Sequence, residues 1–487
     1  MSKPIPCCIK TLAPLHLGAD EVYEPLGFVI DEEHHRLVAF EPWSFLEKLS
    51  EADRRKFSEL CLKGTVASIL DIYRFFRDRR HAAQGRAVAV SPGLTEHYRK
   101  VLEFKGRDLD IQKTINQFTI HRTAFLAADQ RPYLPGSAVK GALRTAYLNA
   151  LSKIKPMKTP RDEQGRYLPR ALEQNLLNYQ KIDEDPFRLL KISDFLPVGE
   201  VKTRIIYAVN EKKRPSHFAA RGPYQILEVI EPGALFAGTI AVENYTPDLR
   251  RLAPIRHFLE QEELWEGALA FYRQEKQRED QELHELGLPR LALDVPPGGL
   301  PLRLGRHGGA ESFTIEGHRK IKILQGKGQP PKELNHATTL WLAADYHQRE
   351  KRHTANLRPF GWAALGELSP EEARGLAARE ETWQGEAQGA AVQPSVTLGK
   401  VTTAATPAKP AAVSPEQEVW EGATLSWSPG DQRLTAAWQG KKARCQGKEL
   451  APEALHKLLF VQRKSVSVRV KVAKEGNAFR IEGIEVL

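Results

Sequence analysis

Two cations four residues apart, Lys140 and Arg144, stand just behind a turn in the stretch Leu134-Pro135-Gly136-Ser137-Ala138-Val139-Lys140-Gly141-Ala142-Leu143-Arg144. On a helix, that spacing places both on one face. They would then lie near an N-terminus, whose free N–H groups favour anions and phosphate above all. Pro135-Gly136 is turn chemistry, and Ser137 is of the residue type that caps a helix start. Val139, Leu143, Ala146, Tyr147 and Ala150 follow at three- and four-residue spacing and predict an amphipathic helix. A capped surface helix with a solvated cationic edge would read the same way. A nucleoside-triphosphatase loop would not, because Lys140 precedes Gly141 and no hydroxyl is in place for magnesium.

Other groups suited to anions are scattered along the chain. Lys202 and Arg204 precede a basic segment, Asn210 to Arg221, that carries Lys212, Lys213, Arg214, His217 and Arg221. Such a segment has little to offer a core and reads as a binding loop. Arg303, Arg306 and His307 flank the Gly-rich stretch Leu304 to Gly309, where backbone could approach a ligand closely. Arg122 and His121 alternate on a strand expected at Gln117–Thr123. His16 sits in the turn Pro14–Gly18, where a hydrogen-bonding role is expected. His16 and His121 are the candidates if the protein cuts RNA without a metal, since that chemistry needs an imidazole beside the 2′-hydroxyl. Tyr133, Phe118 and Tyr207 could stack bases but read as core. His34-His35 lies on an extended turn with no accompanying ligand cluster, so no metal and no cofactor is expected.

The chain has 487 residues and a formal net charge of +10. Its pI of about 9.2 favours a polyanionic partner. No apolar run is long enough to cross a membrane, and the start is not a secretory signal. Cys7, Cys8, Cys61 and Cys445 form no C-x-x-C pair, so neither a zinc ribbon nor a disulfide framework is indicated and a cytoplasmic location is expected.

The elements that would position these residues predict an α+β chain. A first strand is expected from Cys7 running into a turn at Pro14 and Gly18, and further strands at Phe28–Ile30, Leu37–Phe40, Leu189–Phe195, Thr203–Val209, Gln225–Val229 and Leu235–Val242. A helical insertion is expected over about 43–110, and one long charged helix from Leu252 to Leu286. Thr338–Leu342 is read as a closing helix, followed by a last strand near Leu357–Trp362. Four segments result: 1–222, 223–377, an Ala/Pro-rich linker 378–416, and a small β-rich domain 417–487 with a basic face.

Thr11 to Gly18, Pro25 to Asp31, the Leu134–Arg144 stretch, Ile192-Ser193-Asp194 and the loop Leu304 to Gly309 occur in an order that resembles the RAMP superfamily of CRISPR effector proteins. The chain is most similar to the type III-A (Csm) subunit that caps the effector backbone at the 3′ end of the guide RNA. The resemblance spans about Lys3 to Gly361, with a thinner Gly-rich loop than the family usually carries. It implies two ferredoxin-like (RRM-like) domains. It also implies a non-catalytic role in crRNA binding and 3′-end maturation in antiviral defence. Partners would be crRNA, the adjacent backbone RAMP subunit and other Csm subunits, and target RNA near the crRNA 3′ end. The expected RNA-binding residues are His16, Arg122, Gly136, Ser137, Lys140, Arg144, Lys202, Arg204, Lys212, Lys213, Arg214, Arg303, Arg306 and His307. A RAMP-type endoribonuclease and a protein-assembly cap that barely touches RNA are the alternatives.

Overall fold

The structure is a computed structural model that describes residues 3–391 and 417–486. Short interruptions fall at 217–219, 221, 244, 246–247, 249, 251–252, 325–327, 429–432, 439–440, 447–449, 462–465 and 476–477. The chain divides into two compact units, Met1–Gln393 and Pro394–Leu487.

Two sheets make the N-terminal unit. The first has the strand order Leu300–Arg303, Trp362–Glu367, Ile5–Thr11, Leu235–Val242, Leu190–Ile192, with every neighbouring pair antiparallel. Helices Gly136–Ile154 and Gln261–Glu285 complete its core. Val139, Leu143, Ala146 and Tyr147 from one helix, and Leu264, Ala268 and Phe271 from the other, join Ile9, Phe236, Ile240 and Trp362. The three- and four-residue spacing of these side chains is what makes each helix bury a single stripe.

The second sheet runs Gly18–Val22, Ile120–Thr123, Gln225–Ile230, Thr203–Lys212, Arg86–Val90, Arg36–Ala39, Phe28–Asp31, and Thr339–Ala344 also pairs with Thr203–Lys212. It is mixed, with parallel pairing at Ile226↔Ile120 and Ala89↔Arg204. The central strand Thr203–Lys212 is apolar on both faces because both are covered. Ile205, Tyr207 and Val209 enter one core, and Ile206 and Ala208 the other. Helices Val66–Asp78, Pro92–Glu103 and Asp108–Gln117 cover the first of these faces through Leu70, Tyr73, Leu94, Tyr98 and Ile111.

Several expectations change here. Both sheets draw strands from either side of residue 222, and 222/223 lies between two hydrogen-bonded neighbours, Thr203–Lys212 and Gln225–Ile230. The helical insertion contains the strand Arg86–Val90, whose alternating pattern is too short to stand out among helices. Gln117 ends a helix rather than starting a strand. The expected closing helix at Thr338–Leu342 is the strand Thr339–Ala344, as its β-branched start and alternation allow. The expected linker begins late, since Pro370–Ala391 is helical. Residues 392–416 lie outside the described residues.

Helix Gln261–Glu285 places acids in its buried stripe. Glu275 and Glu279 follow Leu264, Ala268 and Phe271 at core-facing positions. Each is matched. Glu279 takes the Arg303 guanidinium at 2.5 Å and the Trp362 indole N–H at 2.7 Å. Glu275 takes Arg319 at 2.6 Å and Arg278 at 2.9 Å. Lys213 bridges Glu282 at 2.8 Å and Glu311 at 2.5 Å.

The C-terminal unit is a closed barrel of Gln417–Ser428, Arg433–Trp438, Lys441–Gln446, Ala478–Val486 and Val466–Glu475, in that order around the ring. Val468, Val470 and Val472 alternate into a core with Trp420, Leu425, Leu434, Ala436, Ala443 and Ile481. A short helix, Glu453–His456, follows the third strand.

Glu279→Ala leaves Arg303 buried without its counter-charge. Urea denaturation is expected to show a loss of about 3–5 kcal/mol, whereas Glu262→Ala, in the helix's first turn, is expected to cost under ~1 kcal/mol.

Candidate nucleic-acid interface

The N-terminal strand leaves the first sheet at Thr11 and enters the second at Gly18, so Leu12–Leu17 is a crossing between sheets. Backbone bonds hold it on three sides. Leu15 exchanges both bonds with Ile230, Gly361 N–H donates to the Pro14 carbonyl, and Arg306 N–H donates to the His16 carbonyl. The Gly-rich loop packs directly on this crossing. Gly305 has φ +74 and a Cβ there would stand 2.3 Å from the His16 carbonyl oxygen. Gly361 has φ +84, and a Cβ there would stand 2.4 Å from the Leu304 carbonyl oxygen. Both positions therefore exclude any side chain.

His16 is fully buried beneath this knot. Its Nδ1 lies 2.8 Å from the Glu228 carbonyl, which fixes the proton on Nδ1, and Nε2 has no partner among the described residues. Burial lowers its pKa to about 4. His307, at φ +67 in the Gly-rich loop, is lowered to about 3, again mainly by burial. The half-buried His121 is lowered by burial and by Arg306. Arg306 itself is exposed and meets Asp20 at 2.8 Å.

Most of the other expected RNA-binding residues turn inward. Arg122 lies over the Phe125 ring at 3.6 Å and donates to Gln130. Arg303 and Lys213 belong to the buried ion pairs of the long helix. Arg144 is bound by Asp185 at 3.0 Å and Glu173 at 2.8 Å, with Phe187 beneath its guanidinium. Arg204 pairs with Asp345 at 2.9 Å, and Lys212 reaches Ser216 at 3.0 Å. Lys202, 3.9 Å from Glu200, and Arg214 are exposed. His217 and Arg221 lie outside the described residues.

The helix start is also built differently from the expectation. Pro135 occupies the cap position, Ser137 is exposed, and the Gly136 N–H donates to the Asp194 carboxylate at 2.8 Å. A Cβ on Gly136 would fall 2.6 Å from the Ile192 carbonyl oxygen, so the turn is pressed against the strand that leads to Asp194. The chain thus provides its own anion at this N-terminus.

What remains cationic is the flank. The Lys140 Nζ donates to the Leu190 carbonyl at 2.8 Å, leaving two of its three donors. Burial lowers its pKa, and so do the neighbouring Lys191, Arg144 and Arg188, with only Asp185 opposing. Lys191 and Arg188 are exposed beside it, on and before the edge strand Leu190–Ile192. Sequence reading missed these two because they belong to a different segment from Lys140. Asp31, Glu33 and His34 each bring one ligand atom within 4.8 Å of the others, although no ligand cluster was expected to accompany His34-His35. The Asp31 Oδ2 is already engaged by His34 and Arg36.

The sequence matches the RAMP superfamily from residue 8 to residue 286, more than half of the chain. The chain belongs to that superfamily. Within it, the chain is similar to the CRISPR system protein Csm5 of Methanocaldococcus jannaschii. The two are 26% identical over 205 residues, which cover 40% of this chain and 43% of that relative, less than half its length. Two solved chains are also similar. One, from a Csm–crRNA–target RNA ternary complex of a type III-A system, has TM-score 0.47 and 18% identity, and the match covers 75% of this chain and 100% of the other. The other is T. onnurineus Csm5, with TM-score 0.40 and 18% identity, covering 73% of this chain and 99% of that one. No helix among the described residues is long and apolar enough to cross a membrane.

The buried histidines give a signed pH dependence. With folded pKa values of about 4 for His16 and about 3 for His307, below the usual 6.5, the unfolded chain binds more protons between these limits. Stability is expected to be flat above pH ~6.5 and to fall as pH drops below it. Urea midpoints at pH 7, 6 and 5 check this, and His16→Gln is expected to flatten the fall.

Proposed function

We propose that this protein is a non-catalytic crRNA-binding subunit of a type III-A Csm-type effector complex. In this reading it caps the backbone at the guide 3′ end and supports crRNA maturation in the cytoplasm. Its neighbours would be the adjacent backbone RAMP subunit and other Csm subunits, with target RNA near the crRNA 3′ end. Superfamily membership and the likeness to Csm5 support the class. The first sheet supports the ferredoxin-like part of the reading. Its chain order is strand, helix, two strands, helix, strand, and its spatial order is fourth, first, third, second, with only small additional strands. We extend the ferredoxin-like reading to the second sheet as a variant with mixed pairing.

The observation that carries RNA binding is the group Lys140, Arg188 and Lys191. Burial first, then Lys191 and more weakly Arg188, lower the Lys140 pKa, and although Glu243 stands 3.7 Å from Lys191, a phosphate placed among the three cations would relieve their repulsion. Binding through phosphates reads backbone rather than bases, as suits a protein that accepts any guide. Arg306, Lys202 and Arg214 are exposed and are the further candidates from the expected set. Arg144 acts by holding Asp185 and Glu173 in place.

The endoribonuclease alternative meets an obstacle in the geometry. His16 has an unbonded ring nitrogen and lies beside the Gly-rich loop, but it is 0% exposed and out of reach of a 2′-hydroxyl. Lys140→Ala/Arg188→Ala/Lys191→Ala is expected to weaken binding of a guide-length RNA. The slope of log K against log salt should become shallower by ~0.7 for each phosphate the variant no longer neutralises. Arg144→Ala should lower thermal stability while leaving that slope unchanged. RNA should remain intact on a denaturing gel throughout. Unchanged binding by the triple variant would remove this site, and His16-dependent cleavage would make the protein an enzyme.

A further inference from the structure

We propose that the cavity between helix Gln261–Glu285 and the segment 290–301 is a binding site for a free nucleoside monophosphate. Its volume is about 680 Å³, within the ~300–1,000 Å³ typical of small-molecule sites. It shares no lining residue with the Lys140 group, and the argument does not rest on RNA binding by the chain.

One wall is helical. Leu269, Arg273, Lys276, Gln277, Asp280 and Gln281 recur at three- and four-residue spacing and form one stripe of the helix. This stripe lies beside the one that carries Glu275 and Glu279 into the core. The facing wall is built on prolines. The Gly299 N–H donates to the Pro296 carbonyl at 2.9 Å, and Gly298 has φ +74. Pro297 followed by Gly298 at the two central positions is the composition of a type II turn, so ring and backbone geometry fix this wall. Asp294 meets Lys10 at 2.7 Å, and Leu293 and Val295 pack against the first core, which ties the segment down. A cavity held in this way spares its ligand the cost of ordering it.

The lining defines the ligand. It carries three cations, Arg273, Lys276 and Arg290, and one carboxylate, Asp280. Arg273 and Arg290 are exposed and have no hydrogen-bond or ion-pair partner among the described residues. The Lys276 side chain is only 12% exposed and bonds Asp280, which leaves two of its three donors. This surplus of donors and positive charge suits a phosphate. Leu269, Leu293, Val295 and Pro301 add an apolar surface that a bare phosphate would leave uncovered and a planar base would cover. Gln277, also without a partner among the described residues, presents a carboxamide whose donor and acceptor can pair with a base edge. Phosphate, flat apolar body and hydrogen-bonding edge are the parts of a nucleotide. An acidic peptide would supply the charge without the flat body.

The test is isothermal titration calorimetry of the full chain with AMP, GMP, CMP and UMP. The matching nucleoside and inorganic phosphate are titrated as the separate parts. At least one nucleotide is expected to bind with Kd below ~1 mM, and at least about tenfold more tightly than either of its parts. Arg273→Ala/Arg290→Ala is expected to weaken that nucleotide by at least about tenfold through lost charge-assisted bonds. Lys140→Ala/Arg188→Ala/Lys191→Ala should bind it as the native protein does, so failure of the RNA reading and failure of this one are separable. Absence of binding by all four nucleotides would overturn the proposal. So would equal binding of inorganic phosphate, unchanged binding by the double variant, or displacement of the nucleotide by an equal concentration of oligoglutamate. If the double variant fails to fold, photo-cross-linking of the unaltered protein to an azido form of the tightest nucleotide decides. Labelled peptides within 269–301 support the proposal, and labelling confined to other segments refutes it.

Discussion

The N-terminal unit depends on charge buried along helix Gln261–Glu285. Three of its acids face basic groups from distant segments: Arg319 on Glu275, Arg303 on Glu279 and Lys213 on Glu282. Glu311, from the loop region, joins through Lys213. Its own burial would raise its pKa, yet Lys213 and Arg278 hold it down at about 2. Desolvating so many ions costs several kcal/mol each, and their attraction roughly offsets that cost when every partner is present. Such pairs add little net stability. What they fix is position, because any displaced segment would leave a bare charge in the core. Arg303 and Glu311 lie on either side of the Gly-rich loop, so the loop is held at both ends.

Holding the loop there makes the crossing between sheets rigid. The N-terminal segment could change sheets anywhere along its length. It does so under Gly305 and beside Gly361, where carbonyl oxygens come too close for any Cβ. The same tightness removes water from His16 and His307 and keeps both imidazoles neutral. A neutral, enclosed imidazole with one nitrogen bonded to a carbonyl, as His16 has, is a structural spacer. This enclosure is a consequence of the packing.

Local patterns were legible in the sequence where one period dominated. The helix after Pro135-Gly136, the successive strands Gln225–Ile230 and Leu235–Val242, and the valine alternation of the barrel all read directly from apolar spacing. Two kinds of feature did not. The two strands on either side of Pro232-Gly233 enter different sheets, and strands at either end of the N-terminal unit pair across hundreds of residues, as Ile9 does with Leu365. No local period encodes that. Nor does a residue's type say whether its charge is already answered. Arg144, Arg303 and Lys213 look like phosphate ligands in the sequence, yet each has carboxylate partners supplied by remote segments. The helix N-terminus followed the same rule, with Asp194 in the place expected for a serine cap or a phosphate.

The net charge of +10 is therefore a poor guide to where RNA would lie. A cation that has met a carboxylate in the fold has no counterion to release and adds little to binding. The informative cations are those whose neighbours carry the same sign. By that criterion one place stands out among the described residues of the N-terminal unit. Lys140 stands among Lys191, Arg144 and Arg188, with burial disfavouring its charge. In the barrel, Lys441, Arg469 and Lys471 are answered by glutamates. Folding needs opposite charges to meet and polyanion binding needs like charges gathered, and around Lys140 the two demands overlap, since Lys191 stands 3.7 Å from Glu243 and Arg144 is held by Asp185 and Glu173.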